Sequence, residues 1–348
     1  MTVPELGRPV RLGRGRTLAR LVLVALTVIV APAGMPVPAS AAPAVAPAGQ
    51  GISFGIFPGG AKVSAVQAAE SQVARSFAYI RVYRSWDDTF PDADVTWMRS
   101  TGHSLFLSIK ARLKSGANVS YQAIADSQPG DALYQNMVRW ATAIKGYGLP
   151  IYVAFNHEPD TTNSQKSGTP TQFVAAWRKW VSVMDSQGVT NARWAYVTAV
   201  RNYSISPTSN KYAPKYYPGD AWLDVIAVDA YNQYCKRNDG QYAYPWRSLA
   251  TLLDPFLQFV AQHPGIPLVL AEWGSAEDPN QSGRKAQWIA DAQQMFKQPA
   301  YQRFVAISYW SAVSHEYAGC SMAIDTSASA LNAYKAMAND PFYAGQVN

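Results

Sequence analysis

Two glutamates, each set just past a short apolar run, are the residues of this chain best placed to do chemistry. Residues 150–156 (PIYVAFN) deliver His157, Glu158 and Pro159, and residues 266–271 (IPLVLA) deliver Glu272, Trp273 and Gly274. An apolar run of this length reads as a strand buried on both faces. A carboxylate at the end of such a strand costs free energy unless it faces a polar cleft. Two of them among aromatic and amide side chains meet the needs of glycosidic bond cleavage. One carboxyl gives a proton, and the other stabilises or attacks the anomeric carbon.

The elements that must position them recur along the chain. Apolar, β-branched or aromatic runs fall at 52–57, 77–83, 104–110, 151–156, 193–198, 225–229, 268–272 and 305–310. Between them, segments such as 131–145, 170–186, 246–262 and 284–297 carry helix formers with apolar spacing of three to four. Gly148 and Gly188 fall just after two of these, where a left-handed cap is wanted. Strands alternating with helices predict a parallel sheet, and eight such units predict a single-domain α/β fold, the closed (β/α)8 TIM barrel. An open doubly wound sheet would want a glycine-rich loop after its first strand. Residues 57–60 (FPGG) hold two glycines but no G-x-G-x-x-G. In a barrel, sites lie at the C-terminal strand ends, so Glu158 after the fourth strand and Glu272 after the seventh point into one cleft.

The N-terminus reads as an export signal. Arg8, Arg11, Arg14, Arg16 and Arg20 precede an apolar core from Leu21 to about Ala31, and Ala39-Ser40-Ala41 supplies a small-residue cleavage site. The core is short of the roughly 20 residues that span a bilayer, although an uncleaved anchor is the alternative. Residues 1–42 are thus expected to be a signal peptide, 43–50 an Ala/Pro-rich leader, and 51–348 the barrel of a secreted, monomeric protein with no membrane contact after cleavage. Five Arg against Glu5 give that signal a net +4 of the chain's formal net charge of +7. The remainder has no basic stripe to serve as a nucleic-acid surface. Eleven Trp and twenty Tyr suit a core, and also a cleft that stacks on sugar rings. Cys235 and Cys320, in loops after two expected strands, form a disulfide if the compartment is oxidising, or else remain two partly buried thiols. Four His without H-e-x-x-H spacing give no reason to expect a metal, and no cofactor is implied.

With strands, glutamates and their neighbours in place, the chain resembles the large clan of retaining barrel glycosidases whose catalytic glutamates follow strands four and seven. The pair His157-Glu158 is most similar to glycoside hydrolase family 26, β-mannanase-like enzymes in which His precedes the acid/base. The resemblance implies Glu158 as general acid/base and Glu272 as nucleophile, with carboxyls roughly 5–5.5 Å apart. Tyr231 matches the tyrosine that hydrogen-bonds the nucleophile, or it packs. His157 orients Glu158 or contacts the sugar, or it satisfies a backbone carbonyl. Trp310 matches the platform under the sugar, or belongs to the core. Arg81 holds the nucleophile's charge or a sugar hydroxyl, with Tyr83 and Arg84 competing for that task. Asn156, Trp86 and Trp273 are cleft candidates with structural roles as rivals. Asp160, Glu277, His315 and Glu316 are expected at the surface or in outer subsites.

The same resemblance implies a polysaccharide substrate, first β-1,4-mannan, then β-1,3-xylan or mixed-linkage β-glucan. The loops at 203–219, 232–244 and 314–322 would choose among these, and they carry no pattern that names a glycan. Tyr and Pro in the loops suit an extended groove and endo attack, whereas one long loop closing that groove would make the enzyme exo-acting. A secreted polysaccharide-binding protein that has lost turnover, or a transglycosylase on the same barrel, are the rival functions.

Overall fold

In the computed structural model, which describes residues 51–314, Tyr317 and 320–347, eight parallel strands close into a barrel in sequence order. The strands are β1 (Ser53–Phe57), β2 (Tyr79–Arg84), β3 (Ser104–Ile109), β4 (Ile151–Phe155), β5 (Ala192–Ala199), β6 (Val225–Asn232), β7 (Leu268–Ser275) and β8 (Phe304–Trp310). All eight expected runs form strands. The expected signal and leader lie outside the described residues.

Helices α1 (Val63–Val73), α2 (Ala93–Ser100), α3 (Tyr121–Asp126), α4 (Ala132–Tyr147), α5 (Pro170–Ser186), α6 (Leu249–Val260), α7 (Arg284–Met295) and α8 (Ala328–Ala338) form the outer layer. Local chemistry sets their ends. Thr169 and Gln172 make a reciprocal capping box at the start of α5, with Pro170 in its first turn. Gly148, at φ 80°, supplies the left-handed cap that ends α4. The alternation of one strand and one helix is not uniform. Two helices follow β3, whereas β5 and β6 are joined by three single 3-10 turns at Val200–Tyr203, Ala213–Tyr216 and Asp220–Trp222.

Two layers of side chains hold the barrel. Between strands and helices, Phe155, Phe173, Trp177 and Trp180 stack in a continuous aromatic seam. Inside the barrel, Tyr79, Phe106, Tyr152, Ala227, Val269 and Ala306 pack together, and Val347 from the C-terminal segment joins them. The lumen fills because successive strand residues alternate between its interior and the helix layer. On β2 the inward set runs Tyr79, Arg81, Tyr83; on β6 it runs Val225, Ala227, Asp229, Tyr231.

Gly55 shows how tightly the lumen is filled. A Cβ at this position on β1 would lie 2.4 Å from the Tyr79 ring. We expect Gly55→Ala to destabilise the barrel by about 1–3 kcal/mol through overpacking. A lowered midpoint of urea unfolding at unchanged slope would register it.

Candidate active site

The strand ends bring Glu158 and Glu272 to one cleft of about 950 Å³, with Tyr83, His157, Tyr231 and Trp310 in its wall. Glu272 is placed by an irregularity of the sheet. Val228 pairs with Leu270, but the next residue of β6, Asp229, pairs with Glu272, so β7 carries one residue more than its neighbour. A bulge of this kind re-aims a side chain. Ala271 packs in the lumen cluster, and Glu272, its successor, also faces the barrel's mouth. The glutamate therefore lies within β7, three residues before its end, and not at the strand's last residue as the run 268–272 suggests.

Three donors fix its carboxylate. Arg81 Nη2 donates to Oε1 at 2.9 Å, the Tyr83 hydroxyl to the same oxygen at 2.6 Å, and the Tyr231 hydroxyl to Oε2 at 2.5 Å. Arg81 is fully buried in the lumen, where Nη1 also donates to Ser108 Oγ at 2.7 Å. Burial alone would lower its pKa, but the Tyr83 and Glu272 oxygens outweigh that and raise it, so the cation persists. Tyr83 and Tyr231 are pushed well above the ordinary tyrosine range, by burial first, and stay protonated donors. Arg81 and Tyr83 thus share the task for which they were rivals. Arg84, pointing the other way, pairs with Asp92 at 2.6 Å.

Glu158 sits three residues past β4 in a different setting. Burial, then the charges of Glu272 and Asp160, push its pKa up to about 8, against weaker pulls from Arg201 and Arg81. Beside it, His157 packs against Tyr83 with the rings tilted by 51° and their centres 5.2 Å apart, and its Nδ1 is buried without a partner among the described residues. Burial, then Arg81 and Lys110, hold its pKa well below the usual histidine value, so it stands as a neutral imidazole. Trp310 closes the wall, stacked on Phe57 at 5.8 Å and edge-on to Tyr231 at 5.8 Å.

Three cleft candidates lie elsewhere. Trp273 follows Glu272 and alternates outward, where it is fully buried against Trp288 and Tyr309. Trp86 packs in the helix layer against Phe155 and Trp180. Neither ring has a face open to a sugar. Asn156 is buried and turned away, its Oδ1 accepting from Ala111 N at 2.9 Å and its Nδ2 donating to the Tyr121 hydroxyl at 2.5 Å. Asp160, expected near the surface, is fully buried. Glu277 accepts from Thr326 and Ser327 at the start of α8, while His315 and Glu316 lie outside the described residues. Cys235 and Cys320 are joined as a disulfide, with Cα atoms 5.6 Å apart.

The structure adds residues to which the sequence assigned no role. Lys110 and Phe57 reach the cleft from the ends of β3 and β1, and Arg201 and Gln233 from the loops after β5 and β6. Asp229 lies beneath them, 2% exposed, with neither carboxyl oxygen hydrogen-bonded among the described residues. Burial, then Glu272 and Glu158, raise its pKa well above the aspartate range. Period-two counting back from Tyr231 finds Asp229; counting on from Arg81 finds Tyr83. No metal-binding cluster of His, Cys, Asp or Glu occurs among the described residues.

Comparison with known proteins is consistent with this geometry. The model of glycosyl hydrolase family 26 matches residues 72–262. Endoglucanase H of Acetivibrio thermocellus is 24% identical over 279 residues, which are 78% of this chain and 28% of that protein. The chain therefore spans little more than a quarter of that relative's length. Among solved structures, a family 26 β-mannanase from Bacteroides ovatus superposes with a TM-score of 0.57 at 15% identity, over 84% of this chain and 90% of that one. A modular endo-β-1,4-mannanase from Cellulomonas fimi gives 0.57 at 18% identity, over 84% and 71%. At such identities these structures speak for the fold.

The hold on Glu272 can be graded. Arg81→Met would strand a buried carboxylate and is expected to cost about 3–5 kcal/mol. Tyr83→Phe, which removes one hydrogen bond to a charged group, is expected to cost about 1.5–3 kcal/mol. Equilibrium unfolding of the two variants should rank them in that order.

Proposed function

Because this chain belongs to glycosyl hydrolase family 26, we propose that it is an exported retaining glycosidase that cleaves a β-linked polysaccharide in endo fashion, with β-1,4-mannan the first candidate. The observation that carries this reading is the contrast between its two glutamates. Glu272 is held by three donors, while Glu158, in the same cleft, keeps a proton to about pH 8. A carboxyl that keeps its proton beside one held by hydrogen-bond donors divides acid and nucleophile roles.

In the first step Glu272 attacks the anomeric carbon and Glu158 gives its proton to the departing oxygen. Tyr231, Tyr83 and Arg81 hold the nucleophile on its line of approach, and they release it as its charge is spent on the new bond. In the second step Glu158, now a base, takes a proton from water, which attacks the same carbon and frees Glu272. Trp310 offers a ring face to the sugar at the point of cleavage. Mannan is favoured by the names of the solved neighbours, while the endoglucanase relative keeps β-glucan as the second candidate. The basic, apolar N-terminus and its small-residue cleavage site support export.

The test uses residues 43–348 and Glu272→Gln against β-mannan, galactomannan, β-1,3- and β-1,4-xylan, mixed-linkage glucan and arabinan, with products sized. We expect one class of polymer to be cut by the parent and by the variant at under about a hundredth of the rate. NMR of the first product should show retained anomeric configuration; inversion would remove Glu272 as nucleophile. The pH profile of kcat/KM should fall as pH rises past about 8, because Glu158 must enter the first step protonated. Binding without cleavage across the panel would favour a polysaccharide-binding protein.

A further inference from the structure

Glu272 is aimed by its three donors, but Glu158 has no such help. Among the described residues no side chain hydrogen-bonds its carboxyl, so its direction must come from its backbone. That backbone is unusual. Asn156 and Glu158 both take positive φ, 45° and 49°, in a left-handed region where residues other than glycine are held only by their surroundings. The Glu158 amide donates to the Val197 carbonyl of β5 at 2.9 Å. On the near side, the Asn156 side chain ties the turn to Ala111 and Tyr121. On the far side stands Asp160. Its carboxyl accepts from the Ala199 amide at the end of β5, at 3.2 Å to Oδ2 and 3.4 Å to Oδ1. Asn202 Nδ2 donates both to Asp160 Oδ2 and to its carbonyl, each at 3.0 Å.

We propose that Asp160 is the positioning residue of the proton donor, clamping the left-handed turn of Glu158 to the end of β5 so that the acid faces the glycosidic oxygen. The inference rests on reading Glu158 as the acid. A fully buried carboxyl needs compensation, and here it is spent on one strand end and one turn. Burial, against the pull of the Asn202 and Ala199 donors, pushes Asp160 up to about 7. When ionised, Asp160 also favours the proton on Glu158. Glu158 is faced by Glu272 from β7, Asp229 from β6 and Asp160 from its own turn, which favour its proton, and by Arg201 after β5 and Arg81 from β2, which oppose it.

Asp160→Asn separates positioning from mere packing. Whichever way the amide lies, its NH2 meets a donor: the Ala199 N–H at the Oδ1 position, or both Ala199 and Asn202 at the Oδ2 position. The measurement is kcat/KM on the polymer the parent cleaves and on the 2,4-dinitrophenyl glycoside of the same sugar, whose leaving group needs no proton. We expect a tenfold to hundredfold loss on the polymer, about the partial loss of a general acid, with the activated glycoside within about threefold of the parent. The alkaline limb on the polymer should move to lower pH. Asn202→Ala, which leaves the carboxyl in place but removes its side-chain donor, should give the same pattern more weakly, and carries the test if Asp160→Asn does not fold. An equal loss on both substrates, or none on the polymer, overturns the proposal. Glu158→Ala run in parallel distinguishes the failures: if it too loses both activities equally, the acid assignment is at fault and not the clamp.

Discussion

A guanidinium buried in the barrel lumen is the constraint around which this site is arranged. Arg81 has no exposure to water, and the side chain of its partner, Glu272, has 8%. An ion pair so placed gains little over apolar packing when intact and costs much when broken. The lumen must therefore supply both charges and satisfy most of the remaining donors; Arg81 Nε alone among that side chain's nitrogens is buried without a partner among the described residues. Ser108 takes a second Arg81 N–H, the Phe106 and Tyr83 rings flank the guanidinium at 4.4 and 4.5 Å, and two tyrosines complete Glu272. Each of these groups sits on a strand, and each faces inward by the alternation that closes the barrel. The position of the glutamate is thus a property of the barrel itself, and not of a loop that might drift from it.

The same arrangement divides the protons. Three carboxyls, Glu158, Asp229 and Glu272, lie within electrostatic reach of one another, and Arg81 can neutralise one. All three strong donors converge on Glu272. Glu158 and Asp229 are left with burial and with mutual repulsion, both of which favour the neutral acid. With the donors gathered on Glu272, Glu158 and Asp229 beside it are left to hold protons.

Much of this was legible because strand alternation is a local code. Arg81 with Tyr83, and Asp229 with Tyr231, share faces by simple counting, and the eight runs that carry them all form strands. The code failed where a neighbour decides the outcome. The extra residue in β7 exists only relative to its neighbours β6 and β8, so Trp273 read as a cleft residue and proved to be core. Trp86 failed for another reason: an aromatic just past a strand can fold toward the mouth or over the helix layer, and Phe155 and Trp180 settle which. Asp160 misled because a polar residue in a loop reads as solvated, whereas its partners come from the end of β5, some forty residues away. The missing helix between β5 and β6 had no signature at all, since 3-10 turns leave no period to detect.

That missing helix bears on how recognition differs from chemistry in this molecule. Without a helix behind β5, a second chamber of about 780 Å³ opens beside Glu158, walled by Arg201, Tyr244 and Arg247 and backed by Leu252 and Pro255 of α6. These residues belong to connections or to the outer layer, and none is fixed by strand register. The rim they form is instead tied by covalent chemistry, for the Cys235–Cys320 bridge joins the connection after β6 to the one after β8. Groups placed by hydrogen-bonded strands are held closely, whereas a rim held at a few points can change its side chains freely. Two proteins built on the same barrel can then differ at this rim without any change in the strands beneath it.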